Sequence, residues 1–150
     1  MSTDTAQTGA VPRGAQILGY AGLIPFVALS ALSAVSSPTE SAQAETWLVF
    51  YAVTIVSFLG GTRWGLASAG MGPGPTFASL ALSVLPPLWA WAAVIVGPPA
   101  DTWMLATGLA VWLGADVLLG RQGGTPGWWL KLRAPLTVVG ALSLILAALT

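Results

Sequence analysis

The 150-residue chain contains no cysteine and no histidine, and only 7% of its residues are charged. Without cysteine there is no disulfide and no thiolate chemistry. Without histidine there is no imidazole ligand for a metal or haem, and no Ser–His relay. Five basic and five acidic residues give a net charge of zero, which excludes the basic footprint of a nucleic-acid-binding protein. We therefore expect no enzymatic activity, no cofactor, no metal and no nucleic-acid partner.

The scarcity of charge accompanies long hydrophobic runs, and 55% of the residues are hydrophobic. A helix that crosses a bilayer needs about 20 mostly apolar residues. Five windows meet this need, near 15–36, 46–68, 76–97, 102–120 and 130–149. The stretches between them are rich in Pro, Gly or Ser, which is typical of turns. The sequence predicts an all-α polytopic membrane protein: a flexible polar tail over 1–13 and a single domain over 14–150, a compact bundle of five transmembrane helices.

The charges are divided between the two sides of this predicted bundle. All basic residues fall in the N-terminal tail, the junction after the second span and the loop after the fourth: Arg13, Arg63, Arg121, Lys131 and Arg133. The loops on the opposite side carry Glu40, Glu45 and Asp101. The positive-inside rule then places the N-terminus in the cytoplasm and the C-terminus outside.

The first window also has features of a cleavable signal peptide, because a basic residue and an apolar stretch precede Ala42-Gln43-Ala44. The apolar stretch is longer than the 7–15 residues usual in such peptides, and the small-residue site lies far beyond it. We therefore expect the first window to remain as a membrane span.

Arg63 and Asp116 are the two charged residues that lie well inside predicted spans. At 1.5 Å per residue they lie about 26 Å and 21 Å from the outer surface, at similar depth and with opposite sign. Because an isolated charge within the bilayer is costly, we expect the pair to face the bundle interior and interact. The pair is either a structural ion pair or a proton- or cation-binding carboxylate biased by an arginine. A charge swap between the two positions should then partly restore stability.

Other features of the spans complete the candidate polar core, which includes Trp64, Pro86 and Pro87. Proline removes a helical hydrogen bond, so Pro86 and Pro87 mark either a structural kink or a broken-helix site of the transporter type. Gly61 and Gly65 form a GxxxG motif, which indicates close packing, inside the bundle or at a homodimer seam.

A second cluster is predicted at the cytoplasmic surface. Arg121, Lys131 and Arg133 lie near Trp128 and Trp129. Such a cluster could bind an anionic lipid headgroup or an acidic partner, or it could anchor the topology.

Several segments together resemble a known but uncharacterised membrane family. They are LGYAGLIPF (18–26), YAVTIVSFLGGTRWG (51–65), SVLPPLWAW (83–91), Asp116 and PGWWLKLRAPLT (126–137). The family comprises bacterial proteins grouped as a domain of unknown function, together with the mitochondrial transmembrane protein sixty-nine. The resemblance implies a small multi-span protein of the bacterial inner membrane or, by descent, of mitochondria, and it brings no established activity. By resemblance alone, the motif residues become candidate functional positions: Gly22, Pro25, Phe26, Ser57, Phe58, Gly60, Gly61, Trp64, Gly65, Pro86, Trp89, Asp116, Trp129, Arg133 and Thr137.

Two functions remain open on these grounds. The chain has little predicted mass outside the membrane and no cofactor ligands, which favours an accessory or assembly factor of a larger membrane complex, such as a respiratory one, with the bilayer and that complex's subunits as partners. The alternative is a small channel or carrier for a proton, cation or small solute that uses Arg63 and Asp116. An enzyme acting on a lipid or quinone is the least supported, since acid–base and nucleophilic groups are sparse.

Overall fold

The computed structural model describes residues 9–150, and the predicted tail over 1–13 lies largely outside the described residues. Within them, five helical segments are long and apolar enough to cross a membrane, which confirms the predicted all-α, five-span fold. The helices are α1 (Arg13–Ala21), α2 (Ile24–Val35), α3 (Pro38–Ser68), α4 (Phe77–Val96), α5 (Ala100–Arg121) and α6 (Trp129–Leu149). The first span consists of α1 and α2, and each later helix is one span.

The first span is interrupted between Ala21 and Ile24, just before Pro25. Proline has no backbone N–H to continue the helical ladder, so carbonyls in the preceding turn lose their donor. The hydroxyl of Tyr51 on α3 donates a 2.7 Å hydrogen bond to the carbonyl of Gly22. The ring of Tyr51 also meets Phe26 edge-on, at a centroid distance of 5.1 Å. A neighbouring helix thus satisfies the backbone at the break, as hydrocarbon surroundings require.

The second span begins earlier than its apolar window indicates, because α3 starts at Pro38. Ser37 and Glu40 form a capping box, and proline in the first turn needs no helical donor. The segment 36–45, which the sequence analysis treated as a loop, is therefore mostly helix. The first turns of α3 are polar and need not enter the hydrocarbon.

The helices form a closed bundle. α3 packs against α2 and α4, α5 packs against α4 and α6, and α6 returns to α2, while α3 and α5 also touch across the middle. The core is small and apolar, with Leu48, Val56, Leu105 and Leu144 among its fully buried side chains. Many large apolar residues remain exposed on the outside, as expected for a surface that faces lipid.

The contact between α3 and α4 is made by Gly60 and the proline pair. A Cβ atom added at Gly60 would collide with the carbonyl oxygen of Ser83 and lie 2.7 Å from Pro87 Cδ. Close approach through a small residue is the usual way to pack helices in a membrane. Gly61 and Gly65, by contrast, have open space around their added Cβ atoms. Of the two alternatives for this GxxxG motif, packing inside the bundle is therefore wrong, and the adjacent Gly60 makes the close contact there.

Candidate functional site

Asp116 is the centre of a buried polar cluster near the end of the bundle where α6 begins. Its Oδ1 accepts a hydrogen bond of 2.9 Å from Arg63 Nη1. Its Oδ2 accepts from Arg133 Nε and from the indole Nε1 of Trp129, both at 3.2 Å. Both ion pairs found within residues 9–150 therefore meet at a single carboxylate. The cluster of Arg63, Asp116, Trp129 and Arg133, hereafter the Asp116 cluster, ties α3, α5 and α6 together.

Helix geometry explains how α6 supplies two of the donors. Trp129, Arg133 and Thr137 are spaced by four residues, so they lie along one face of the helix. Arg133 donates from Nη1 to the hydroxyl of Thr137 at 3.0 Å, which fixes the guanidinium beside Asp116. All three side chains therefore lie on one polar face of α6, and this face contacts α5 at Asp116.

The charges in the Asp116 cluster do not cancel. Two guanidinium groups face one carboxylate, so one positive charge has no carboxylate partner within residues 9–150. The side chains of Arg63 and Arg133 are only 10% and 9% exposed. Arg63 Nε and Arg133 Nη2 are buried and have no hydrogen-bond partner among the described residues. Buried donors on charged groups are costly to leave unpaired. These two nitrogens show that the Asp116 cluster can bind a further hydrogen-bond acceptor.

The structure brings Arg63 and Asp116 together in direct contact, but it changes the assignment of Arg133. The expectation that Arg133 is exposed beside Arg121 and Lys131 is wrong, because its side chain is buried inside the bundle and belongs to the Asp116 cluster. Arg121 and Lys131 are exposed as expected, and Lys131 Nζ donates to the carbonyl of Gly9 at 2.8 Å. The expected basic surface cluster therefore loses one of its three members.

The other members of the predicted polar core lie apart from Asp116. Trp64 is 48% exposed on the outside of the bundle, so its placement in a polar core is wrong. Pro86 is fully buried and Pro87 half-buried against Gly60 on α3. In this structure the two prolines belong to a helix-packing contact, because neither takes part in the Asp116 cluster.

Two cavities border the Asp116 cluster. The first, of about 380 Å³, is lined almost entirely by apolar side chains from α1, α2, α3, α5 and α6, with Arg133 and Trp129 at the cluster. The second, of about 310 Å³, lies between α3, α4 and α5 and is lined by Arg63 and Trp112 among others. Each arginine of the cluster therefore lines a different cavity.

A second polar network lies at the opposite end of the bundle, where α6 finishes. The hydroxyl of Ser33 donates to Glu45 Oε1 at 3.1 Å, and Ser41 donates to the same atom at 3.4 Å. Ser33 also lies 3.3 Å from the hydroxyl of Thr150. These four residues, the Glu45 network, connect α2, α3 and the end of α6.

Comparison with known proteins identifies the family. The family described as a protein of unknown function, DUF3429, matches residues 11–149. The chain belongs to this family. It is 38% identical over 139 residues to transmembrane protein 69 of Xenopus tropicalis, covering 89% of this chain and 53% of that protein. It is 31% identical over 137 residues to transmembrane protein 69 of Mus musculus, covering 89% of this chain and 55% of that protein.

The chain thus spans about half the length of the curated relatives it matches. No solved structure matches it. The resemblance to an uncharacterised family related to transmembrane protein sixty-nine is confirmed. Membership makes the chain an integral, multi-pass membrane protein, and the matches bring no activity with them.

The link between Asp116 and α6 was not predicted. Arg133 and Trp129 were assigned to a basic cluster at the surface and Thr137 was named only through resemblance, although the spacing of four residues places all three on one helix face. That spacing was the available signal, because a basic residue between an aromatic and a hydroxyl on one face of a span needs a buried partner. Among residues 9–150, Asp116 is the one acidic residue within a span at that end of the bundle.

Proposed function

We propose that this family member is an accessory or assembly factor of a larger membrane complex, such as a respiratory one. The observation that carries the proposal is the full engagement of the Asp116 carboxylate, whose two oxygens accept three hydrogen bonds from two helices. A carboxylate held by two arginines and an indole fixes helices in place, which is what a scaffold requires. A proton or cation carrier requires a carboxylate that can exchange its partners.

The test is a comparison of native membranes with and without the protein. After mild extraction with a styrene–maleic copolymer, the tagged protein should migrate on a native gel in a particle much larger than a single copy. Deletion of the gene should leave that particle's other subunits in a smaller intermediate, and the wild-type gene should restore it. A protein that migrates only as a single copy, with every membrane complex unchanged by the deletion, would contradict the proposal.

A matched pair of variants tests whether restoration of the particle depends on the Asp116 cluster in particular or on any carboxylate of the bundle. Asp116→Asn should fail to restore the particle, since it removes the carboxylate that ties three helices together. Glu45→Gln makes the same chemical change in the Glu45 network and should restore it. Equal restoration by both variants would argue against any role for the Asp116 cluster in the scaffold.

The two cavities favour a second candidate, a small channel or carrier. They lie against opposite members of the Asp116 cluster, with Arg133 at one and Arg63 at the other. In that case the cluster would be a gate between them. Purified protein in liposomes should then conduct protons, cations or a small solute, and Asp116→Asn should change the rate. Absence of flux, or flux that Asp116→Asn leaves unaltered, would dismiss this candidate.

The proposed location is a bacterial inner membrane with the N-terminus in the cytoplasm. The basic residues at one end of the bundle, with Glu40, Glu45 and Asp101 at the other, support this orientation. Because the chain lacks cysteine, single substitutions can report on it. Gln122→Cys should react with an impermeant maleimide only after the cells are opened, and Gln43→Cys should react in intact cells. The reverse pattern would invert the topology.

A further inference from the structure

The cavity beside Arg133 has the form of a binding site for an amphiphile. It measures about 380 Å³, within the usual range for small-ligand sites. Its walls are apolar side chains, including Leu23, Phe26 and Ile55, and its one charged lining residue among those described is Arg133. An apolar chamber with a single guanidinium at one end matches a molecule that has an apolar tail and an anionic head.

The positive charge beside this cavity exceeds the negative charge, so an anionic ligand would balance it. The Asp116 cluster holds two arginines and one carboxylate, and Arg133 Nη2 is a buried donor without a partner in the part of the chain that the structure describes. The other acidic residues that the structure describes, Glu40, Glu45 and Asp101, lie in the first turns of α3 and α5. Those turns are at the far end of the bundle, so protein carboxylates within residues 9–150 do not neutralise the extra charge.

The cavity opens sideways, toward the region that lipid tails occupy. Two of its lining residues, Leu18 on α1 and Phe58 on α3, are 75% and 65% exposed on the outside of the bundle. The helix that covers this side, α1, has no buried residue of its own. Arg133 lies one helical turn beyond Trp129 and therefore only about 6 Å inside the start of α6. A phosphate at the membrane surface can reach a guanidinium at that depth.

We propose that this cavity is a binding site for an anionic phospholipid, with an acyl chain against the apolar walls and the headgroup phosphate on Arg133. Arg133 lines the cavity while its Nη2 is buried, so a small rotation of the guanidinium brings Nη2 to the phosphate, which balances the charge of the Asp116 cluster. Arginine suits this role, because its planar fork donates to phosphate while its Nε remains bonded to Asp116. The lipid site is independent of the accessory role.

The test measures lipids retained by the purified protein. The protein is placed in nanodiscs of equimolar phosphatidylglycerol and phosphatidylethanolamine with identical acyl chains, released, and examined by native mass spectrometry. Wild-type protein should retain phosphatidylglycerol in preference to phosphatidylethanolamine by roughly tenfold. Both lipids offer a phosphate to Arg133, but the ammonium of phosphatidylethanolamine cancels the net negative charge that balances the extra positive charge of the Asp116 cluster. Equal retention of the two lipids would overturn the proposal.

Two variants should abolish the preference and two matched controls should keep it. Arg133→Gln removes the guanidinium, and Arg121→Gln removes an exposed one outside the cavity. Ala15→Phe fills the cavity from α1, and Gln16→Phe places the same ring on an adjacent exposed position that does not line it. If Arg133→Gln does not fold, Ala15→Phe decides alone, since it leaves the Asp116 cluster intact.

The remaining outcomes also give a clear answer. A preference that survives Ala15→Phe, or that falls equally in Arg121→Gln and Arg133→Gln, reflects surface attraction and overturns the site. Inorganic phosphate supplies the same anion without a tail, so it should neither displace the retained phosphatidylglycerol nor raise the melting temperature in detergent. If inorganic phosphate does both, the cavity is a free-anion site and the lipid assignment is wrong.

Discussion

At the end of the bundle where α6 begins, Asp116 accepts hydrogen bonds from two arginines and a tryptophan, whereas at the end where α6 finishes, Glu45 accepts from two serine hydroxyls. Each carboxylate belongs to a network that joins three helices, but their surroundings differ. Asp116 is 3% exposed and held by charged donors, while Glu45 is half-buried and held by neutral ones. A buried charge needs opposite charge, whereas a carboxylate near the surface can also be satisfied by water.

The largest difference between the two ends should appear when the charge of Asp116 is removed. Asp116→Asn leaves two buried guanidinium groups without a carboxylate, and breaking such a pair costs about 3–5 kcal/mol. The variant should unfold at a much lower temperature than wild type in detergent, as measured by size-exclusion chromatography after heating. A melting temperature equal to that of wild type would mean that water satisfies the cluster.

A charge swap sharpens the role of Arg133. Arg63→Asp combined with Asp116→Arg restores one ion pair, but it leaves Arg133 beside a second guanidinium instead of a carboxylate. The double variant should be more stable than Asp116→Arg alone and less stable than wild type by about 1–3 kcal/mol. Adding Arg133→Gln should recover part of that loss.

The swap is judged from the same melting measurements. A double variant as stable as wild type would show that Arg133 contributes nothing to the Asp116 cluster. A triple variant less stable than the double would show that Arg133 stabilises the bundle by contacts other than its charge.

The contrast also shows how far sequence reasoning reaches in this molecule. Apolar windows predict the five spans because crossing hydrocarbon imposes a length and a composition on each helix. Depth along two helices brings Arg63 and Asp116 to the same level, and the cost of an unpaired charge predicts their contact. A hydropathy profile gives the position of Arg133 near the end of its span, which suggested a place at the membrane surface. It does not say which way the side chain faces. Only the rotation of α6 about its axis decides which side of that helix faces Asp116.

The early start of α3 was missed for a related reason. A polar helical turn looks like a loop in a hydropathy profile, although Ser37, Pro38 and Glu40 carry the signals of a helix start. The alternative in which Gly61 and Gly65 pack inside the bundle was also wrong. A GxxxG motif gives the spacing of small residues but not the neighbour that they face. The first error overlooked a signal that the local sequence carries, whereas the second concerns the neighbours of a helix, which the local sequence does not determine.

Trp129→Phe tests the neutral donor of the Asp116 cluster. Phenylalanine keeps much of the ring but cannot donate to Asp116 Oδ2, which still accepts from Arg133. The loss should be about 1 kcal/mol, the value of one hydrogen bond. Trp128→Phe is the matched control, because the adjacent indole lies 5.7 Å from that of Trp129 between ring centroids and forms no bond to Asp116. An equal loss in both variants would assign the effect to ring packing.

Glu45→Gln should have the smallest effect, below about 1 kcal/mol, because both serine hydroxyls keep an acceptor and water can solvate this half-buried position. The amide oxygen of glutamine can still accept from Ser33 and Ser41, so the variant removes the charge and keeps the acceptor. The melting temperatures of Glu45→Gln and Asp116→Asn are measured in the same detergent. The two values can be compared directly, since both variants convert a carboxylate to an amide. If Glu45→Gln lowered stability as much as Asp116→Asn, burial and charged donors would not be what distinguishes the two ends. The helices would then depend on any carboxylate that joins three of them.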